Sequence, residues 1–183
     1  NTGWGPSDTH AGPSNLRSGF DNWIWGTVGY SGFRGEVGGA KLGFGSGVFR
    51  MKTDGSQLEF MHQFNNNTWG LGFNSSGDVF GSTANNNPSF FYGIPATAYG
   101  SGKRGMSARM NATDRSFHPI TPNSRQVDAF NNYTAGAGQT VATSAGFPES
   151  LRKKVAFISG PTGHLLGKYH LSRAGSGYKA KNG

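Results

Sequence analysis

Two internal echoes of one pattern constrain this chain more than any single motif. Gly47-Val-Phe-Arg-Met-Lys-Thr-Asp-Gly-Ser56 returns 120 positions later as Gly167-Lys-Tyr-His-Leu-Ser-Arg-Ala-Gly-Ser176. In both, an aromatic and an aliphatic residue alternate with polar ones (Phe49 and Met51; Tyr169 and Leu171) before a Gly-Ser turn, as a half-buried strand requires. After the first turn Leu58 and Phe60 alternate with Glu59 and Met61, which predicts a hairpin. The second echo pairs Leu16-Arg-Ser-Gly-Phe-Asp-Asn-Trp23 with Phe73-Asn-Ser-Ser-Gly-Asp-Val-Phe80, placing Asp21 against Asp78 and Trp23 against Phe80 at an offset of 57. Half of 120 is 60, so both echoes fit one unit of 57 to 60 residues, and 183 residues hold about three of them.

The residue types decide what such a unit is. Thirty-one Gly and 24 aromatic residues, with only 14% charged, leave short apolar runs broken every few positions by Gly, Asn, Ser or Asp. Helices favour Ala, Leu, Glu and Lys; this chain reads as all-β. Each unit is expected to lead from a loop into an inner strand, a polar turn, a second strand and an outer hairpin. Such four-stranded sheets arranged radially form a β-propeller, which needs about four to eight blades. The expectation is therefore a single propeller segment over 1–183, with blades at about 1–62, 63–130 and 131–183, belonging to a longer, six-bladed ring or completed by a partner chain. An open sandwich of similar strands is the alternative. Asn85-Asn-Asn-Pro88, Ile94-Pro95, Gly100-Ser-Gly102 and His118-Pro-Ile-Thr-Pro122 punctuate residues 85–126 so densely that a long irregular insertion is expected there. The cluster Phe90-Phe91-Tyr92 within it argues for order.

No stretch carries the roughly 18 to 20 apolar residues of a membrane-spanning helix. Without cysteine the chain has no disulfide, thiolate metal site or Cys-x-x-Cys-His haem attachment of its own. The net charge of +8 raises nucleic acid as a partner. Basic residues are scattered, however, with Lys103-Arg104, Arg152-Lys153-Lys154 and Lys179-Ala180-Lys181 the densest groups and no continuous stripe. No nucleic-acid partner is expected.

Chemistry is expected where loops precede inner strands: Asp8-Thr-His10-Ala-Gly-Pro-Ser-Asn15, Asn65-Asn-Asn-Thr-Trp69 and Asn131-Asn-Tyr-Thr134-Ala-Gly. His10, Asn67 and Thr134 are candidates for a shared axial site, the first two 57 positions apart. Histidine suits acid or base work because its ordinary pKa lies near 6.5, and Asp8 is placed to orient its ring. A turn or hydrogen-bonding role for His10 is the competing reading. Asn15, Asn67, Trp69 and Thr134 suit a carbohydrate, with amides and hydroxyls meeting sugar hydroxyls and the indole offering an apolar face. Turn-forming asparagines and a buried Trp69 account for the same residues. His62, His118, His164 and His170 lack a metal-binding spacing, and no metal site is expected. There is no Gly-x-Ser-x-Gly elbow, and Gly136-Ala-Gly138 lacks the βαβ context of a dinucleotide loop.

Long stretches of the chain resemble a known family. They are Trp4-Gly-Pro-Ser-Asp-Thr-His-Ala-Gly-Pro-Ser-Asn-Leu16, Asp21-Asn-Trp-Ile-Trp-Gly-Thr-Val-Gly-Tyr-Ser-Gly-Phe33, Asn66-Asn-Thr-Trp-Gly-Leu-Gly-Phe73, Phe80-Gly-Ser-Thr-Ala-Asn85 and Gly160-Pro-Thr-Gly-His-Leu165. The family is that of the bacterial membrane-bound dehydrogenase propellers, similar to the soluble quinoprotein glucose and sorbosone dehydrogenases. The resemblance implies a periplasmic or extracellular propeller that oxidises a sugar or polyol with pyrroloquinoline quinone (PQQ). It also implies electron transfer to a haem c domain outside this chain or to a separate cytochrome. His10 would take the proton of the substrate hydroxyl. Arg17 and Arg125 are the basic residues assigned to the quinone carboxylates. The related pattern places a glycine three residues after its histidine, whereas Gly12 here follows His10 by two. A non-catalytic carbohydrate-binding or scaffolding propeller in an envelope complex is the rival reading.

Overall fold

A computed structural model describes residues 2–64, 66–94, 98, 111–112, 114–116, 133–163 and 165–183. Thirteen strands and two short 3-10 turns can be followed among the described residues, which contain no α-helix. No helix among them is long and apolar enough to cross a membrane. The chain is all-β, built from several small sheets, and divides into two compact units: residues 1–69 with 94–108, and residues 70–93 with 109–183.

The first unit holds a four-stranded antiparallel sheet of β1 (Pro13–Ser18), β2 (Ile24–Val28), β5 (Gly47–Met51) and β6 (Leu58–Gln63), in that order. The predicted hairpin is β5–β6, with Phe49 opposite Phe60 and Met51 opposite Leu58. Period-two alternation sorts its two faces. On one face Phe49, fully buried, lies between Gly26 and Phe60 and packs on Trp4 at 4.7 Å. On the other, register lines up Arg17, Trp25, Arg50 and Glu59 across all four strands. Arg50 donates from Nε to Glu59 Oε2 (2.8 Å) and from Nη1 to Asp21 Oδ2 (2.8 Å), and lies 4.5 Å over the Trp23 ring. Asp21 also accepts from Trp25 Nε1 at 3.0 Å.

Between β2 and β5 the chain makes a separate hairpin, β3 (Phe33–Val37) and β4 (Ala40–Phe44). Its turn residues Gly38 and Gly39 both take positive φ (57° and 79°), the conformation a two-residue hairpin turn requires. Phe33, Val37, Leu42 and Phe44 bring it into the core formed with Val28, Phe49 and Leu58. Trp4 meets Phe33 edge-on at 4.9 Å, and Phe44 stacks on Phe60 at 4.6 Å.

The second unit contains a three-stranded sheet, β7 (Thr68–Phe73), β8 (Val79–Thr83) and β9 (Phe90–Tyr92), in that order, with the first two residues of β7 falling in the first unit. Its other sheet is four-stranded and antiparallel in strict sequence order: β10 (Ala137–Val141), β11 (Val155–Gly160), β12 (Leu165–Ala174) and β13 (Gly177–Asn182). β9 lies inside the stretch expected to be irregular; its Phe90 and Tyr92 are buried on one face, so aromatic burial overrides the surrounding turn residues. Phe80, Tyr133, Val141, Ile158, Tyr169 and Ala180 are buried together in the core. Asp78, in the β7–β8 turn, accepts from the Tyr178 hydroxyl (2.5 Å), Asn74 Nδ2 (2.9 Å) and Arg173 Nη2 (3.0 Å). Asp21 and Asp78, matched by the 57-residue offset, thus sit in corresponding turns and each binds an arginine.

Candidate functional site

The loop carrying His10 is held by its backbone. Asp8 takes an extended conformation and caps the 3-10 turn Thr9–Ala11, accepting from His10 N through Oδ1 at 2.9 Å. Fully buried Ala11 donates its N–H to Asp8 O (3.1 Å) and accepts at its carbonyl from Gly29 N (3.0 Å) and Ser31 N (3.3 Å). Ser31 Oγ donates to Asp8 O at 2.9 Å, and Asn67 Nδ2 donates to His10 O at 3.1 Å. A residue 57 positions away therefore locks the turn.

With its backbone tied down, the His10 side chain points out: it is 88% exposed, and its Nδ1 lies 3.6 Å from Asp8 Oδ1. That distance is too long for a hydrogen bond but within ion-pair range. The Asp8 carboxylate is itself 47% exposed, so water screens the pair. The pair resembles a base with an orienting acid, but Asp8 makes its closer contact with the backbone.

The remaining expected residues divide. Asn67 is 9% exposed, so its carboxamide is a strut of the turn rather than a group offered to a ligand. Its Oδ1 packs on Gly29, where a Cβ would fall 1.5 Å away. Asn15, at positive φ (54°) in a register shift of β1, donates from Nδ2 to the Trp69 carbonyl and to Ser14 Oγ (3.3 Å). Asn15 and half-buried Trp69 are thereby joined through the backbone. Thr134 belongs to the second unit, where its Oγ1 lies 2.7 Å from Asn85 Oδ1. Arg17 is on β1 four residues past Pro13, roughly 13 Å along the strand. Arg125 lies outside the described residues.

Beside the His10 turn is a cavity of about 440 Å³ that the sequence did not disclose. Tyr30, Ser31 and Arg34 line it with Gly5, Gly43 and Gly45. Ser31 joins the two features, since it lines the cavity and holds Asp8 and Ala11 by hydrogen bonds. Small glycine walls, a phenol, a hydroxyl and one guanidinium suit a neutral polyhydroxylated molecule. A tricarboxylate such as PQQ needs several cations; Arg34 is the single basic side chain on this cavity, so the described residues here do not fit the quinone.

Elsewhere, burial holds the His62 imidazole below the ordinary histidine range despite a hydrogen bond with the Ile94 backbone, keeping it neutral near pH 7. Among the described residues no three His, Asp or Glu side chains cluster as metal ligands would.

No curated protein matches this sequence. Among solved structures, the chain is similar to the PQQ-bound form of the aldose sugar dehydrogenase of Streptomyces coelicolor, at 14% identity and a TM-score of 0.46. The similarity covers 93% of this chain and 48% of that one, so the chain spans about half the length of that structure. The domain of unknown function DUF7133 matches residues 1–183 throughout, and the chain belongs to that family.

Proposed function

We propose that this chain contributes blades to an extracytoplasmic β-propeller of the quinoprotein-like dehydrogenase type, binding a sugar or polyol beside the His10 turn. The sequence resemblance and the two four-stranded antiparallel sheets, each the size of a propeller blade, support this reading. Further blades, from the rest of a longer chain or from a partner chain, would close the ring, six blades in all. One observation carries the catalytic part: an imidazole 88% exposed on a turn whose backbone is fixed at Asp8, His10 and Ala11, with a carboxylate 3.6 Å from Nδ1.

Oxidising an alcohol removes a proton from oxygen and a hydride from carbon. His10 Nε2 would accept the proton, with the Asp8 carboxylate 3.6 Å from Nδ1. Tyr30, Ser31 and Arg34 would hold the other hydroxyls in the adjoining cavity. This chemistry would need a hydride acceptor besides the residues of this cavity, with a haem c domain or separate cytochrome as the electron sink.

The rival is a non-catalytic carbohydrate-binding or scaffolding propeller, favoured by the shorter contact of Asp8 with His10 N (2.9 Å) than with the ring. His10→Ala in the full-length protein separates the two. If His10 is the base, dye-linked oxidation of aldoses falls by about a hundredfold or more with the melting temperature preserved. If activity is retained within about twofold, His10 is a turn residue and the catalytic reading fails.

A further inference from the structure

The lysines of the last two strands look isolated in sequence but are gathered by register. β12 and β13 pair His170 with Lys181 and Ser172 with Lys179. Cross-strand partners share a sheet face, so Lys168, His170 and Ser172 of β12 stand beside Lys179 and Lys181 of β13. The spacing is about 7 Å along a strand and about 5 Å across. The opposite face carries buried Tyr169 and Ala180, which fixes the basic side outward. Residues 155–183 contain no Asp or Glu, so no carboxylate from these strands neutralises that side.

The same hairpin borders a groove of about 800 Å³, lined by Lys179, Lys181, Ser172 and Ser176 together with Asn111 and Phe91. Two ammonium groups and two hydroxyls are an array for a ligand bearing both anionic groups and hydroxyls. The groove's tyrosine does not present a free stacking platform. Tyr178 has Arg173 over its ring at 4.3 Å, meets Phe80 and Phe91 edge-on at 4.8 and 5.0 Å, and binds Asp78 through its hydroxyl. Single-stranded nucleic acid, which depends on bases stacking on open aromatic faces, is the poorer match.

We propose that the outer face of the β12–β13 hairpin and its groove bind an acidic polysaccharide, through carboxylate or sulfate groups on Lys179 and Lys181 and sugar hydroxyls on Ser172 and Ser176. This site lies within the second unit and is independent of the His10 reading. The test is binding of the full chain to polygalacturonate, dextran sulfate, neutral dextran and a single-stranded oligothymidylate. At least one anionic glycan should bind and neutral dextran should not, with affinity falling between about 50 mM and about 200 mM salt. Lys179→Ser/Lys181→Ser should weaken that binding by about thirtyfold, roughly fivefold per lysine, with unchanged melting temperature. Lys41→Ser, which removes a charge from β4, should leave it within about twofold. The contrast between polygalacturonate and dextran sulfate identifies the anionic group. Failure of both glycans to bind, equal weakening by Lys41→Ser, or tighter binding of the oligothymidylate overturns the proposal.

Discussion

Replacing Gly29 with alanine sets a methyl group against the side chain that locks the His10 turn. The added Cβ would fall 1.5 Å from Asn67 Oδ1 and 2.7 Å from Asn67 Cγ, so the carboxamide must leave. The next obstacle, Ala11 Cα at 3.0 Å, needs only a small shift. Expelling Asn67 forfeits its bond to the His10 carbonyl, about 1 kcal/mol, and overpacking a buried site adds about 1–3 kcal/mol. Gly29→Ala should therefore cost about 2–4 kcal/mol, and Asn67→Ala alone about 1–2 kcal/mol. The double variant distinguishes this cause from a general effect of alanine in the loop. With the carboxamide already gone only the 3.0 Å approach to Ala11 Cα remains, so the double variant should be at least about 1 kcal/mol more stable than the two single losses would sum to. Urea unfolding of the four proteins, with the denaturant slope checked for constancy, measures the cycle. Additive losses would refute the clash with Asn67 as the mechanism.

Three further outcomes follow from packing and charge. Phe49→Ala, at a fully buried position against Trp4, should cost about 3–5 kcal/mol in urea unfolding, and a loss under about 1 kcal/mol would contradict the packing of this core. Burial raises the Asp78 pKa, but hydrogen bonds from Tyr178 and Asn74 and the charge of Arg173 hold it below the ordinary carboxylate value. A carboxyl lowered on folding stabilises above its unfolded pKa of about 3.9 and loses that contribution as pH falls through the folded value. Asp78→Asn should therefore lower the melting temperature most above about pH 5 and progressively less in acid; a constant offset across that range would count against it. Burial pushes the phenols of Tyr133 and Tyr169 well above the usual tyrosine range, with Asp114 adding to the effect at Tyr169. Their stabilising contribution is complete below the unfolded value of about 10 and is lost as pH rises through the folded values. Alkaline absorbance titration of the folded protein should thus fall short of all six tyrosines, and a complete titration before unfolding would be inconsistent with this burial.

Where local alternation decides structure, the sequence is readable. Phe49, Met51, Leu58 and Phe60 around an Asp-Gly-Ser turn announce β5–β6, and Tyr169, Leu171 and the Gly175-Ser176 turn announce β12–β13. The offset that matches Asp21 with Asp78 finds two turns with arginine partners, whereas the bond between His10 and Asn67, also 57 apart, is not something equivalence within a repeat predicts. Roles set by neighbours distant in sequence are another matter. An asparagine in an Asn-rich loop has the same letters whether it faces solvent or braces a carbonyl, so Asn67 reads as a ligand group although it is buried. The cavity by Ser31 depends on a hairpin whose Gly38-Gly39 turn is a local signal, but whose packing under Trp4 is not. The basic face of β12–β13 is invisible along the chain because register, not sequence adjacency, assembles it.

The β3–β4 hairpin leaves the first sheet at Val28 and returns at Gly47, and those two residues are register partners. Its entry and exit are consequently only about 5 Å apart, the gap of one strand pair. The parent sheet therefore needs nothing from the inserted segment to close its own ladder, and the excursion behaves as a cassette plugged into a single strand connection. Segments of other lengths can be exchanged there at a loop-closure cost that grows only logarithmically, provided they supply aromatic cover for Phe49. Because Tyr30, Ser31 and Arg34 lie at the mouth of that cassette, the connection is a point at which the adjoining cavity can be reshaped while β1, β2, β5 and β6 stay as they are.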